Sequence, residues 1–250
     1  MFRKLRTPTT PREYELIERQ QVRLPAISTV PWFVDTLRAE TGARYVRYVA
    51  ADAPAQVLAA LTLASTVDAS KGKLPRHTRK LGWGREGAVY RQGKETAIKL
   101  FTPDFQSSDY THFRRRTLSK ILANAAVHEG MNIRPYEHET AWKITAPKVY
   151  GALVPVEPSD QAPVACAMEY VPGIHVLGHQ RPLTLPSRDA LSNYYETALL
   201  GVGIEKSAYG ITYDNHTGNE LFDYDTRRFT KFDITAQGDS LARFALGSAL

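Results

Sequence analysis

Three oxygen-bearing side chains near the end of the sequence could support phosphoryl transfer. Asp214 and Asn219 lie five residues apart in the segment YDNHTGNELF, and Asp233 follows Asp214 by nineteen residues. One carboxylate can accept a hydroxyl proton, while an amide oxygen and a second carboxylate can bind Mg²⁺. Each residue taken alone is more often a turn residue, but together they are the groups that phosphoryl transfer requires.

A glycine pattern upstream could hold the phosphates of a nucleotide. Gly82, Gly84 and Gly87 form G-x-G-x-x-G, and Val89 follows two places later. Glycines let a loop approach phosphate closely and point its amide groups at the oxygens. The main alternative is a dinucleotide-binding loop, which needs a helix after it. Because a strand-like segment follows here, the pattern favours a phosphate-binding hairpin.

Lys99 lies in the apolar segment AIKL directly after this hairpin. A lysine in an apolar strand either lies at an edge or holds a buried anion, and the adjacent glycines favour phosphate contact. Such a lysine needs a carboxylate to position it. The candidates are Glu129, Glu137 and Glu139, any of which could instead be a surface acid. We prefer Glu137, with Glu139 next.

The segment MEYVPG, with Glu169 and Val171, is an apolar strand that breaks into a Pro-Gly turn. Backbone groups at its end could bind an adenine edge in an apolar slot. An ordinary strand end is the alternative interpretation.

In this order and spacing, the patterns resemble the protein-kinase-like superfamily. The resemblance runs from Gly82 to Asp233 and implies ATP, Mg²⁺ and a two-lobed α+β fold with the nucleotide between the lobes. For the nucleotide, the resemblance implies phosphate approach at Gly82, Gly84, Gly87 and Val89, α/β-phosphate contact by Lys99, and adenine binding by the backbone of Glu169 to Val171. For the transfer step, it implies that Asp214 orients or deprotonates the acceptor hydroxyl and that Asn219 and Asp233 bind Mg²⁺.

The sequence departs from the kinase pattern at several positions. The usual His-Arg before the catalytic aspartate is Thr212-Tyr213, and the lysine two places after it is His216. The Phe-Gly after the metal-binding aspartate is Ile234-Thr235. Since only 17 residues follow that aspartate, we expect no activation segment. In this the chain resembles the minimal Ser/Thr kinases that bacterial pathogens inject by type III secretion.

The expected fold is α+β and two-lobed, with a minimal C-lobe and a mostly helical N-terminal extension. We expect the extension at residues 1–75, as a secretion or partner-binding segment, and the kinase-like domain at 76–250, with lobes at about 78–170 and 171–250. The expected helices are 13–21, 31–41, 53–65, 109–128, 135–143 and 186–206. The expected strands are 44–50, 81–90, 96–101, 149–154, 164–170, 219–222 and 229–232.

Composition limits the compartment and the partners. The single cysteine, Cys166, cannot form an internal disulfide, which favours either a reducing, cytosolic environment or no redox dependence at all. We expect no membrane span, because no apolar run approaches eighteen or so residues. Residues 1–100 carry 18 Lys/Arg against 9 Asp/Glu, which indicates either an anionic partner or a solvated basic face. We expect no nucleic-acid partner, and the sequence indicates no oligomeric state.

These expectations combine into an ATP- and Mg²⁺-dependent kinase that phosphorylates a Ser/Thr hydroxyl of a protein. The resemblance implies a secreted virulence effector that acts on a host signalling or chaperone protein. The alternatives are an inactive pseudokinase that serves as a binding module, a small-molecule phosphotransferase, and an AMP-transferase on the same fold.

Overall fold

The computed structural model shows a mixed α+β fold with one large antiparallel sheet and four helices among the residues it describes. The described ranges are 14–22, 30–39, 42–67, 78–84, 86–101, 110–136, 141–157, 163–175, 181–213, 219–232, 234–236 and 238–246. The helices are α1 (Ala55–Ser65), α2 (Tyr110–Ile133), α3 (Arg188–Gly201) and α4 (Ser240–Leu246). The strands are β1 (Tyr14–Val22), β2 (Trp32–Ala39), β3 (Arg44–Ala50), β4 (Arg79–Gly84), β5 (Gly87–Gln92), β6 (Thr96–Phe101), β7 (Lys143–Thr145), β8 (Val149–Pro155), β9 (Val164–Glu169), β10 (Ile174–His175), β11 (Ile211–Tyr213), β12 (Glu220–Asp223), β13 (Arg228–Lys231) and β14 (Ile234–Ala236).

The large sheet has the strand order β1-β2-β3-β8-β9-β6-β5-β4, and every neighbouring pair is antiparallel. Successive side chains of a strand point to opposite faces. Along β9, Ala165 and Ala167 therefore pack in the cluster that contains α1, whereas Val164 and Cys166 pack in the cluster that contains α2. The sheet thus lies between α1 on one face and α2 on the other.

The predicted helices at 13–21 and 31–41 are wrong, because these segments form β1 and β2 of the large sheet. In β2, Trp32, Leu37 and Ala39 are buried, and β3 pairs with the strand from Trp32 to Arg38. A short segment with few apolar residues fits both the helical and the strand period, so pairing with a neighbouring strand decides which structure forms. The N-terminal region is thus not mostly helical. Its strands belong to the same sheet as β4–β6, and the division at residue 75 stays a prediction.

Most of the other predicted elements are confirmed. Strands form at β3, β6, β8, β9, β12 and β13, and helices form at α1, α2 and α3. The single strand predicted at 81–90 is instead divided into β4 and β5, which pair antiparallel. The predicted helix at 135–143 is wrong at all of its described residues, because 135–136 and 141–142 are not helical and Lys143 begins β7, which pairs in parallel with β13. Residues 137–140 of that prediction lie outside the described residues.

The second half of the described chain packs around α2. Strands β10-β12-β13-β7 form a four-stranded sheet, and β11 pairs with β14. Helices α3 and α4 pack on α2, where Gly130 allows a close approach to α3 because a Cβ at this position would lie 2.0 Å from the Ala198 carbonyl oxygen. Among the described residues, no helix is both long and apolar enough to cross a membrane.

A buried ion pair joins β2, β3 and α1. Asp35 and Arg47 face each other across the strands, and one Arg47 Nη lies 2.6 Å from Asp35 Oδ2. The other Nη donates to Thr62 Oγ1 of α1 at 3.3 Å. Both charged side chains are almost fully buried, so each depends on the other for compensation of its lost hydration.

We predict that Asp35→Ala lowers the free energy of unfolding by about 3–5 kcal/mol, because it removes the carboxylate that faces the buried guanidinium. Urea denaturation measures the change. The double variant Asp35→Leu/Arg47→Met should lose much less unfolding free energy, because it leaves no buried charge without compensation. Arg38→Ala, at an exposed position, serves as a neutral control. A loss below about 1 kcal/mol for Asp35→Ala would contradict the assignment.

Candidate functional site

A cavity of about 720 Å³ opens between the large sheet, α2 and the strands of the second half. Its walls come from the β4–β5 hairpin, β6, α2, β8, the end of β9, and the segments around β12 and β14. This volume is typical of a small-molecule site.

Residues predicted from the sequence converge on this cavity from distant parts of the chain. Those that line it are Gly82, Gly87, Val89, Lys99, Glu169, Val171 and Asn219. Gly84 ends β4 and pairs with Gly87 across the hairpin. Asp214, Asp233, Glu137 and Glu139 lie outside the described residues, so their roles stay predictions.

The two glycines of the cavity wall serve different physical needs. Gly87 has φ +141°, and a Cβ there would lie 1.8 Å from the Leu100 carbonyl oxygen, so the β5–β6 pairing itself requires glycine. A Cβ at Gly82 would meet no atom within 4 Å. The backbone of the strand does not need glycine at position 82, and the missing side chain there enlarges the cavity.

The end of β9 offers a backbone donor beside apolar side chains. The Glu169 and Tyr170 amides donate to the carbonyls of Lys148 and Glu95, each at 2.8 Å. Among the described residues, the Val171 amide has no such acceptor. Val89, Met168 and Leu221 supply apolar wall nearby. This combination can hold a flat, hydrogen-bonding ring.

Lys99 projects from the centre of β6 toward α2, on the same face as Cys166. Its Nζ lies 3.4 Å from Glu86 Oε2. Burial raises the pKa of the Cys166 thiol to about 12 despite the nearby Lys99 charge, so this thiol stays protonated at neutral pH. The cysteine therefore contributes wall and no nucleophile.

The same Glu86 oxygen also contacts the ammonium group of Lys120 on α2. Glu129, a candidate partner of Lys99, lies nine residues after Lys120 on this helix, about 13 Å along the axis. Among the described residues, it is not part of the cavity wall. Glu86 is therefore the carboxylate that the described structure places against Lys99.

Asn124 of α2 holds the start of β14. Its Nδ2 donates to the Ile234 carbonyl at 3.0 Å, and its Oδ1 accepts from the Ile234 amide at 3.3 Å. Phe232 and Thr235, which lie one residue before and two residues after position 233, line the cavity. One side chain thus ties the helix to the segment that includes a predicted metal ligand.

Asn219 lies at the open end of the β12–β13 hairpin, opposite its turn. Its carbonyl accepts from the Phe232 amide at 3.1 Å, and the next pair, Glu220 and Lys231, is a buried ion pair at 3.8 Å. Within the described part of the chain, no group of three or more His, Cys, Asp or Glu side chains could hold a metal ion. The Asn219 amide oxygen is a suitable Mg²⁺ ligand, and the predicted second ligand, Asp233, lies outside these residues.

The Glu169 carboxylate joins the end of β9 to the smaller sheet. Its Oε1 accepts from Arg228 at 2.9 Å, and its Oε2 accepts from the Lys148 amide at 3.2 Å. Arg228 also donates to Thr145 Oγ1 at 3.0 Å. Burial acts to raise the Glu169 pKa, but the Arg228 hydrogen bond and charge outweigh it, so the pKa is lowered.

A second cavity of about 440 Å³ lies behind Glu169, and His128 lines it. The His128 ring nitrogen Nδ1 lies 2.8 Å from the Ala146 carbonyl oxygen. Burial lowers the His128 pKa, so the ring is neutral at pH 7 and Nδ1 donates to this carbonyl.

Sequence reasoning missed four residues that organise the site: Glu86, Lys120, Asn124 and Arg228. A signal existed for Lys120, because it is the one charged residue in the helical run TLSKILANAAV. A charged residue in such a run is rarely buried without a partner. Glu86 is a variable position of the glycine pattern, so nothing in its spacing marked it.

We predict that the unfolding free energy of Glu169→Gln changes less between pH 7 and pH 3 than that of the wild type. The lowered pKa means that the carboxylate stabilises the fold above its unfolded pKa of about 4.3 and loses this effect as pH falls through the folded pKa. The variant should lose about 1–2 kcal/mol of unfolding free energy at pH 7 and less on acidification. Urea denaturation from pH 7 to 3 tests this, with the exposed Glu95→Gln as control. Parallel profiles of wild type and Glu169→Gln would rule out the assignment.

No protein-family model matches this chain, and no curated protein does. Two solved structures show a weak likeness. One is "Glucosamine kinase (crystal form A)", at 15% identity and a TM-score of 0.24 over 64% of this chain and 35% of that chain. The other is "Glucosamine kinase in complex with glucosamine, ADP and inorganic phosphate", at 15% identity and a TM-score of 0.20 over 64% of this chain and 36% of that chain. This chain therefore matches about a third of each structure, and at such TM-scores the likeness carries no argument about function.

Proposed function

We propose that this protein is an ATP- and Mg²⁺-dependent kinase that transfers the γ-phosphate to a Ser/Thr hydroxyl of a protein. The observation that carries the proposal is the convergence of the glycine hairpin, Lys99, the end of β9 and Asn219 on one cavity. These pieces are separated by up to 137 positions in the sequence, and a kinase needs all of them in one place.

The nucleotide fits the described residues by size and by chemistry. In this proposal the adenine lies against Val89, Met168 and Leu221, with the Val171 amide as hydrogen-bond donor, and Lys99 contacts the phosphates. The open space at Gly82 leaves room for the ligand against the hairpin. The nucleotide lies between the two proposed lobes, at about 78–170 and 171–250.

The transfer step rests on groups around the second half of the cavity. Asp214 orients or deprotonates the acceptor hydroxyl, and Asn219 and Asp233 hold Mg²⁺, which neutralises charge on the transferred phosphoryl group. The placement of Asn219, Phe232 and Thr235 in the cavity wall supports these roles. We further propose that the acceptor is a host signalling or chaperone protein and that the kinase is a secreted effector, on the basis of the resemblance to minimal type III effector kinases.

A second candidate is a nucleotide-binding module without transfer activity. The altered motifs favour it: Thr212-Tyr213 and Ile234-Thr235 replace His-Arg and Phe-Gly, and they pair with each other in the β11–β14 ladder. Tyr213 stands where the pattern has arginine, and its side chain supplies no cation of its own.

We predict that Lys99→Ala and Asp233→Ala each lower phosphate transfer at least about 100-fold, since Lys99 positions the α/β-phosphates and Asp233 holds the Mg²⁺ that neutralises charge on the transferred group. The measurement is incubation with Mg-[γ-³²P]ATP and a eukaryotic cell lysate. The exposed Lys94→Ala is the matched control for Lys99. Undiminished transfer in either variant would refute the proposed mechanism.

Further measurements separate the alternatives. Thermal stabilisation by Mg-ATP without transfer indicates the binding module. Intact-mass analysis of the labelled product distinguishes a phosphoryl from an adenylyl group, and labelling of small molecules alone indicates a small-molecule acceptor.

The glycines give an independent prediction. Gly82→Val should weaken ATP binding about tenfold or more while unfolding stability changes by less than about 0.5 kcal/mol, because Gly82 lines the cavity and a Cβ there meets no atom within 4 Å. Gly87→Ala should instead destabilise the fold by about 2 kcal/mol or more, through its collision with Leu100. Calorimetric titration and urea denaturation measure the two effects. Tight ATP binding by a well-folded Gly82→Val would place the nucleotide elsewhere.

A further inference from the structure

Three charged side chains meet in the cavity from three separate elements. Glu86 comes from the tip of the β4–β5 hairpin, Lys99 from β6 and Lys120 from α2. Both ammonium groups contact the same carboxylate oxygen, Oε2 of Glu86. The two lysines therefore converge on one point of the cavity that is occupied by an anionic oxygen.

The three residues differ strongly in how firmly the fold holds them. The side chain of Lys120 is 7% exposed and that of Lys99 is 16% exposed, whereas that of Glu86 is 41% exposed. Lys120 lies among buried residues of α2, including Leu118, Ile121 and Leu122. The ammonium groups are thus fixed by core elements, while the carboxylate reaches them from a turn at the surface.

The contacts show that this point of the cavity favours an anionic oxygen, since both ammonium groups are directed at Glu86 Oε2. A phosphate group carries up to two negative charges and several acceptor oxygens, so it compensates both ammonium groups better than one carboxylate can.

We propose that Lys120 and Lys99 together bind one phosphate group of the nucleotide, and that the Glu86 carboxylate occupies the position of this phosphate and competes with it. The inference rests on the proposed ATP site and adds to it a second phosphate-binding lysine and an internal competitor. Binding of the nucleotide displaces the Glu86 side chain from the lysines. Lys120 contributes affinity, and Glu86 reduces it.

The proposal predicts opposite changes in ATP affinity for substitutions at positions 120 and 86, and these changes can be measured. The probes for isothermal titration calorimetry are ATP, inorganic triphosphate and adenosine, all without metal. Lys120→Met should weaken ATP and triphosphate binding about tenfold or more and leave adenosine binding unchanged. Glu86→Gln should tighten ATP and triphosphate binding about threefold. Lys94→Met and Glu95→Gln, two exposed residues of the β5–β6 turn, are the charge-matched controls.

The outcomes distinguish this inference from the proposed function. Unchanged ATP affinity in Lys120→Met, or equal loss of ATP and adenosine binding, overturns the role of Lys120. If Lys120→Met fails to fold, Lys120→Arg replaces it and should keep triphosphate binding. Loss of that binding in a folded Lys120→Arg contradicts the proposed contact between Lys120 and phosphate. Weaker binding in Glu86→Gln overturns the competition. If wild type binds triphosphate in a Lys120-dependent way but neither ATP nor adenosine, the proposed kinase function fails while the phosphate site stands.

Discussion

A polar side chain on a buried helix must find a partner, and this constraint organises the molecule around α2. Most of the helix between residues 117 and 127 is buried between the large sheet, α3, α4 and β14. Three of its polar side chains each reach a different neighbour. Ser119 accepts from the Ala242 amide of α4, Lys120 contacts Glu86, and Asn124 binds both backbone groups of Ile234. The hydrogen-bonding needs of one helix thus fix the relative positions of the elements that line the cavity.

The large sheet contributes through its period of two. On β6, Ile98 and Leu100 pack toward α1, so Lys99 between them must point to the α2 side. The same alternation on β9 places Cys166 and Met168 on the cavity side. A register shift of one residue would bury the lysine against α1, where the neighbouring residues are apolar. The register of the antiparallel ladder therefore decides whether Lys99 lines the cavity.

The two sheets are joined at the end of β9 by the Glu169–Arg228 ion pair. Its strength depends on pH through Glu169, whereas the Asn124 contact to Ile234 contains no titrating group. The elements around the cavity are thus joined by one charged contact and one neutral contact. Acidification should weaken the Glu169–Arg228 ion pair and leave the Asn124–Ile234 hydrogen bonds intact.

Much of the local structure could be predicted from the sequence alone. The glycine hairpin, the apolar strands β6, β8 and β9, and helices α1, α2 and α3 follow from patterns that span a few residues, because turn chemistry and apolar periodicity act locally. The residue types at 82, 99 and 219 indicated which groups belong in one cavity. Segments 13–21 and 31–41 show the limit, since their short apolar patterns fit a helix until a neighbouring strand supplies hydrogen-bond partners. The contact between Glu86 and Lys120 could not be predicted either, because it joins a hairpin tip to a helix 34 residues later. Local propensities carry no information about which charged side chains meet across elements, so only the packing of α2 against the sheet decided that two lysines share one carboxylate.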